Sequence, residues 1–401
     1  MPQCSNTDNF FHIPWTAGIQ EFSLQLVVQW KGEWWNAGSA ILIGDRLALS
    51  AKHIIEFIYT HIVGNSIPTG IPDYERTGYP IVLPEGCGMN AVQTIDSGKS
   101  SLQWSVSKLY PVGYKEVDLI LLSLTAHPDQ AVSPGCKSYK QKKLPRLWLY
   151  PPAVGQIVDA FGFPDHEQHS GGNLPNGSLA GYLLYRSKGE VVHINSTLEN
   201  RQASHLSFTS TAETKSGMSG GPVALSKPPW GNFICGVVSR SRSFANESLA
   251  TPLWPILGTK VFRDDAELGN PGKYSILELA KAGIVNAPSA DHFSLRTIRR
   301  EPNGDGTFTE TVLNGEPAED ADPGDLEIEI VCAFPELQRQ GTLLGSSEWI
   351  DGLRLRMTDI YVKNIIKREQ KIRRAESVSL FPNLQSVGEI FRALLDRTKT
   401  S

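Results

Sequence analysis

From Phe22 to Trp254 the chain is a succession of short apolar runs, each closed within about a dozen residues by Gly, Pro, Asp or Asn. An α-helical framework needs apolar residues recurring every three to four positions over ten or more residues, and no run here sustains that. The runs FSLQLVVQW, WWNAGSAILI, RLALSA, IVLP, LQWSVSKLYPV and DLILLSL are rich in Val, Ile, Leu and Trp and have strand length. A second series follows: QIVDAFGF, GYLLYR, EVVHIN, HLSFTS, GPVAL, FICGVVS and LATPLW. Between the two lies a polar passage with three prolines, AHPDQAVSPGCKSYKQKKLP, which reads as a connection. The 36 Gly and 26 Pro among 401 residues supply the turns that so many short strands require. Two consecutive sets of about 110 residues each predict a mainly β protein built from paired β-barrels or sandwiches.

Beyond residue 262 the pattern changes. YSILELAKAG has helical spacing and a glycine stop, while HFSLRTIRR, NGDG and TFTETVL predict a hairpin. In LEIEIVCAF, Leu326, Ile328 and Ile330 alternate with Glu327 and Glu329, as on a half-buried strand. From Gly352 to Ala375 the pattern reads as a basic helix. The expected division is an N-terminal extension at 1–19, a first β unit at 20–135, a second at 136–262 and a C-terminal α+β unit at 263–401. Glu301, Asn303, Asp305 and Gly306 hint at a calcium loop, but Val312 stands where such a loop needs its bidentate Glu, so a hairpin turn is the better reading and no metal is assigned.

Charge narrows the function classes. With 38 Lys+Arg against 42 Asp+Glu the formal net charge is −4, which argues against a whole-protein grip on nucleic acid or an anionic membrane. That total conceals an acidic loop, EPAEDADPGD, and eight Lys/Arg at 353–374, where a regulatory protein partner could dock. The five cysteines, at 4, 87, 136, 235 and 332, are odd in number and lack metal-ligand spacing. No apolar stretch approaches 18 residues, and the first fifteen residues lack a signal-peptide pattern. A soluble protein of a reducing, cytoplasmic compartment is expected.

Three segments carry chemistry. In Ser216-Gly217-Met218-Ser219-Gly220-Gly221-Pro222 a serine is flanked by glycines that let the backbone turn sharply. The amides of Gly217 and Ser219 can then point at one spot, as an oxyanion hole requires. His53 follows a strand in LALSAKHII, and Asp118 opens the apolar strand VDLILL. A serine hydroxyl becomes a nucleophile only when a base takes its proton, and an imidazole oriented by a carboxylate is such a base.

In order and context these residues resemble the chymotrypsin-like (trypsin-like) serine peptidase family, whose order is His, Asp, Ser; here the separations are 65 and 101 residues. GSAILI before the His strand, VGQIVDAFGFP, GVVS at 236–239 and LATP at 249–252 agree with it, so the resemblance covers about residues 20–260. It implies two six-stranded antiparallel β-barrels in the first two units. It also implies a triad of Ser219 as nucleophile, His53 as base and then acid, and Asp118 as the group that fixes the imidazole, with no cofactor. Ser239 matches a position beside the triad Asp, and the backbone of Ser239, Arg240 and Ser241 would pair with an extended protein or peptide substrate. Glu213, six residues before Ser219, stands where trypsin-type members carry the acid of the specificity pocket, with Thr214 beside it and Glu247 near the opposite wall. An acid there would favour Lys or Arg, although Glu213 could equally be a solvated loop residue paired with Lys215.

Departures also matter. Ile54 replaces the cysteine that digestive members carry after the catalytic His, and Met218 replaces the acid of their zymogen switch, so activation by N-terminal trimming is not expected. The resemblance implies a serine endopeptidase. The alternatives are a narrow signalling or self-processing protease triggered by a partner, and a protein-interaction module on a peptidase fold with little turnover.

Overall fold

The computed structural model describes residues 10–12, 18–64, 80–95, 100–112, 117–126, 144–150, 152–164, 184–195, 207–226, 233–242, 247–264, 268–304, 308–313, 326–332, 347–350 and 353–357. The chain forms two units, Met1–Ala290 and Asp291–Ser401.

A three-residue strand, β1 (Phe10–His12), precedes the first barrel. That barrel comprises β2 (Ser23–Trp30), β3 (Glu33–Gly44), β4 (Leu47–Ser50), β5 (Gly88–Ile95), β6 (Ser100–Pro111) and β7 (Ile120–Ala126). They close in the order β2-β3-β4-β7-β6-β5, every pairing antiparallel. The KGE turn joins β2 to β3 through Lys31 and Gly32, both at positive φ (51° and 83°), the conformation of a type I′ hairpin turn. Leu24, Leu26, Ile41, Ile43, Leu47 and Leu49 are fully buried inside this barrel. Each such side chain contributes about 2 kcal/mol of hydrophobic stabilisation, so the barrel holds its shape without a disulfide. Two polar side chains packed with them are linked to each other: Trp104 Nε1–H donates to Gln93 Oε1 at 3.0 Å, and Gln93 Nε2–H donates to the Glu21 carbonyl at 2.7 Å.

The second barrel follows a short strand, β8 (Arg146–Leu147). Its strands are β9 (Ile157–Gly162), β10 (Tyr185–Asn195), β11 (Ser207–Ser210), β12 (Pro222–Leu225), β13 (Phe233–Arg242) and β14 (Glu247–Pro252). The antiparallel path β10-β11-β14-β13-β12-β9 returns from β9 to β10, so this ring is closed as well. Two strands attach from outside: β1 pairs antiparallel with β10, and β8 pairs parallel with β13. The fold is therefore mainly β with two six-stranded antiparallel barrels, as the motifs imply.

Residues 260–290 pack with the barrels, so the unit boundary falls after Ala290 instead of near 262. The hairpin of β15 (Lys260–Arg263) and β16 (Gly272–Ser275) leads into the short helix α2 (Ile276–Lys281), counted here after α1 (His53–Phe57) of the first barrel. Ser275 and Glu278 form a capping box, and Ile276, Leu277 and Leu279 are buried. Arg263 donates to the Asp45 carbonyl at 2.7 Å, and Asn286 brackets the connection before β8. The Asn286 carbonyl accepts the Leu147 amide at 2.8 Å, and its side chain donates to the Leu144 carbonyl at 3.3 Å.

The described part of the second unit is a five-stranded mixed sheet: β17 (Phe293–Pro302), β18 (Phe308–Leu313), β19 (Leu326–Cys332), β20 (Ser347–Ile350) and β21 (Leu353–Met357), in the order β18-β17-β19-β21-β20. The predicted hairpin and the LEIEIVC strand are both present, with Ile330 fully buried. Leu353–Met357 corrects the helical reading of the basic segment, because it is a strand pairing parallel with β19. Residues 358–401, and with them the rest of the expected helix, lie outside the described residues. Among the described residues no helix is long and apolar enough to cross a membrane.

Candidate active site

His53 is the first residue of α1, three residues beyond the end of β4. Its amide is one of the helix-start donors that no helical carbonyl satisfies, and Asp118 Oδ1 accepts it at 2.9 Å. The ring Nδ1–H donates to Asp118 Oδ2 at 2.8 Å. A short hydrogen bond from the Ser239 hydroxyl completes the carboxylate's set on the same Oδ2. Asp118 lies just ahead of β7 with its side chain 3% exposed, whereas the His53 side chain is 22% exposed. The carboxylate thus holds Nδ1 as the protonated ring nitrogen and leaves Nε2 as the base on the open side.

Burial acts to raise the Asp118 pKa. The His53 charge, the hydrogen bonds from the His53 ring and from Ser239, and the His53 amide outweigh it and hold the group at about 2, against an ordinary 3.8. A folded-state pKa below the unfolded one means that Asp118 contributes stability above about pH 4, and that this contribution is lost as pH falls toward about 2. The melting-temperature difference between wild type and Asp118→Asn is therefore expected to shrink over that window. A difference independent of pH would remove the carboxylate's ionisation from the account.

Ser219 lies on the loop between β11 and β12. Gly217, at φ +85°, occupies the third position of a turn closed by the Met218 amide on the Lys215 carbonyl at 3.0 Å, where φ of that sign is needed. At Gly220 (φ +86°) an added Cβ would stand 2.0 Å from the Ser39 carbonyl and 2.1 Å from Ser50 Oγ. Only glycine lets the serine loop sit this close to the first barrel. Neither the Gly217 nor the Ser219 amide donates to a protein acceptor among the described residues, which leaves both open to an oxyanion. Met218 is fully buried against Gly162, an apolar contact where digestive members place a charge.

The Ser219 hydroxyl donates to the Ser239 carbonyl over a long 3.4 Å. Ser239 itself sits at an irregularity in the β13–β14 register between Val238 and Arg240. One residue thus touches both ends of the site, with its hydroxyl on Asp118 and its carbonyl facing Ser219.

The structure therefore brings His53, Asp118, Ser219 and Ser239 together. Arg240 is exposed, and Ser241 pairs through its backbone with Ser248. Glu213 is exposed and Glu247 half-buried, and neither bonds to the triad residues among the described residues. Thr214 is 8% exposed, and its hydroxyl has no hydrogen-bond partner among the described residues. Sequence reasoning missed Ser39 and Ser50. Ser39 lies inside the GSAILI motif, and its position directly after Gly38 is the one signal that could have raised it.

Two closed antiparallel barrels, with His and Asp on the first and the serine loop on the second, define a chymotrypsin-like fold. Among solved structures the chain is similar to the Rv3671c protease from M. tuberculosis in its active form, at 13% identity and a TM-score of 0.37, over 68% of this chain and 89% of that one. It is likewise similar to Deg5, at 14% identity and a TM-score of 0.37, over 58% of this chain and 84% of that one. A third is the protease Anisep from Arthrobacter nicotinovorans, at 12% identity and a TM-score of 0.37, over 61% and 93%. No protein-family model and no curated protein matches the sequence. The fold assignment rests on the strand pairing itself.

Proposed function

We propose that the protein is a serine endopeptidase that cuts protein substrates through an acyl-enzyme. The observation that carries this reading is the Asp118 carboxylate accepting both the His53 ring and its amide, at 2.8 and 2.9 Å, on the barrel that faces the Ser219 loop. Catalysis in this reading requires the Ser219 hydroxyl to leave the Ser239 carbonyl and donate to His53 Nε2. Oγ then attacks the scissile carbonyl carbon and its proton passes to Nε2, while the developing oxyanion takes the Gly217 and Ser219 amides. Collapse breaks the C–N bond, and Nε2–H delivers the proton to the leaving amine. Water, deprotonated by the same nitrogen, cleaves the ester and restores Ser219.

Fluorophosphonate labelling tests this reading, since a Ser219-dependent adduct is expected. The interaction-module alternative is favoured by one observation, the hydroxyl resting on Ser239 and not on His53, and absence of an adduct would set aside peptidase activity of the isolated protein.

For substrate preference we infer cleavage after Lys or Arg, carried by Glu213, whose exposed carboxylate has no partner of its own among the described residues. On a peptide library, Glu213→Gln is expected to lower kcat/KM for basic sequences about tenfold or more and to leave others unchanged. Cutting by the wild type after small or apolar residues alone would overturn it.

A further inference from the structure

Ser39, on β3 and 1% exposed, uses every hydrogen-bonding group it has, and each bond joins the first barrel's catalytic strands to the second barrel or to the histidine strand. Its amide donates to the Ser219 carbonyl at 2.7 Å, and its hydroxyl donates to the Gly217 carbonyl at 2.8 Å. The same Oγ accepts the Phe163 amide at 3.0 Å, at the end of β9. The Ser39 carbonyl accepts the Ser50 hydroxyl at 2.6 Å, three residues before His53.

The two carbonyls that Ser39 holds belong to the two residues whose amides would bind the oxyanion. Gly217 C=O and Met218 N–H share one peptide plane, which lies between those amides. Ser39 Oγ–H holds the plane at its oxygen, and the Lys215 carbonyl holds it at its nitrogen at 3.0 Å. That double tether fixes ψ of Gly217 and φ of Met218, at the point where a glycine would otherwise turn most freely. The bond from the Ser39 amide to Ser219 C=O fixes ψ of the next residue but one.

Resting on the peptidase reading above, we propose that Ser39 is a positioning residue that sets the oxyanion hole, aiming the Gly217 and Ser219 amides at one point through their carbonyls. Only the hydroxyl half of this device is a side chain, so it can be removed by itself. Ser39→Ala deletes the bond to the Gly217 carbonyl together with the one accepted from the Phe163 amide, and keeps the amide bond to Ser219.

The test compares wild type, Ser39→Ala and Ser39→Thr on the best library peptide and on the aldehyde of the same sequence, whose hemiacetal oxygen occupies the hole. Ser39→Ala is expected to lower kcat about 10- to 100-fold with KM within about twofold, and to weaken the aldehyde by the same factor as kcat/KM. Ser39→Thr, which retains the hydroxyl, is expected to recover most of the loss; should its methyl not fit, the kcat-against-KM split of Ser39→Ala decides alone. A Ser39→Ala variant with a lower melting temperature but with kcat and aldehyde affinity within about twofold of wild type would overturn the proposal. A wild type that forms no fluorophosphonate adduct overturns the peptidase reading instead. Amide exchange then decides for Ser39: faster exchange at Met218 and Gly220 in Ser39→Ala supports the tether, and unchanged exchange refutes it.

Discussion

Ser219→Ala is expected to lower kcat about ten-thousandfold or more and to abolish the fluorophosphonate adduct, with little change in melting temperature. The two expectations separate because, among the described residues, the hydroxyl's one hydrogen bond is the 3.4 Å contact to the Ser239 carbonyl, too long to contribute much to the fold. The residue's structural work is done by its backbone, through the carbonyl that accepts the Ser39 amide at 2.7 Å, and alanine keeps that. Activity with a defined peptide, intact-mass measurement of the adduct and a thermal melt are the three readouts. Persistence of the adduct in the variant would place the nucleophile elsewhere.

Asp118→Asn is expected to cost a comparable factor, about ten-thousandfold in kcat, for a different reason. The substitution is nearly isosteric, but an amide cannot accept on both of its heavy atoms. At present Oδ1 accepts the His53 amide while Oδ2 accepts both the His53 ring and the Ser239 hydroxyl. With NH2 facing the ring, Nδ1 must become the acceptor and the proton moves to Nε2, where it blocks uptake of the serine proton. By the conversion of about 1.4 kcal/mol per tenfold, the loss corresponds to about 5.5 kcal/mol of transition-state stabilisation. Steady-state kinetics on the folded variant would check it, and a kcat within tenfold of wild type would remove Asp118 from the mechanism.

The double barrel and the histidine, aspartate and serine segments were legible because each has a local signature: strand-length apolar runs, glycines around Ser219, and an acid and an imidazole at strand ends. Ser39 was not legible. A serine on a buried strand is unremarkable in one dimension, and the groups it binds lie 178 residues away at Gly217 and 124 away at Phe163. Leu353–Met357 was misread because the basic run beyond it suggested a helix. Within those five residues Leu353, Leu355 and Met357 alternate with Arg354 and Arg356, the period of two that a strand requires. Helix α2 was foreseen, but not its attachment to the barrels. Three buried side chains on a six-residue helix are too few to stand alone, and composition does not say which surface receives them.

The bracket at Asn286 has a practical consequence for dissecting the molecule. A catalytic fragment ended at residue 262, where the character of the sequence changes, would discard both Asn286 bonds to the passage between the barrels. It would also uncover the turn at Gly44, which packs on Ile284 and Val285. That passage carries β8, which lies along β13, the strand that ends at Ser239 and the residues after it. The unit that holds the serine, histidine and aspartate runs to Ala290, so a fragment meant to keep them in register should extend to that residue, past the final barrel strand.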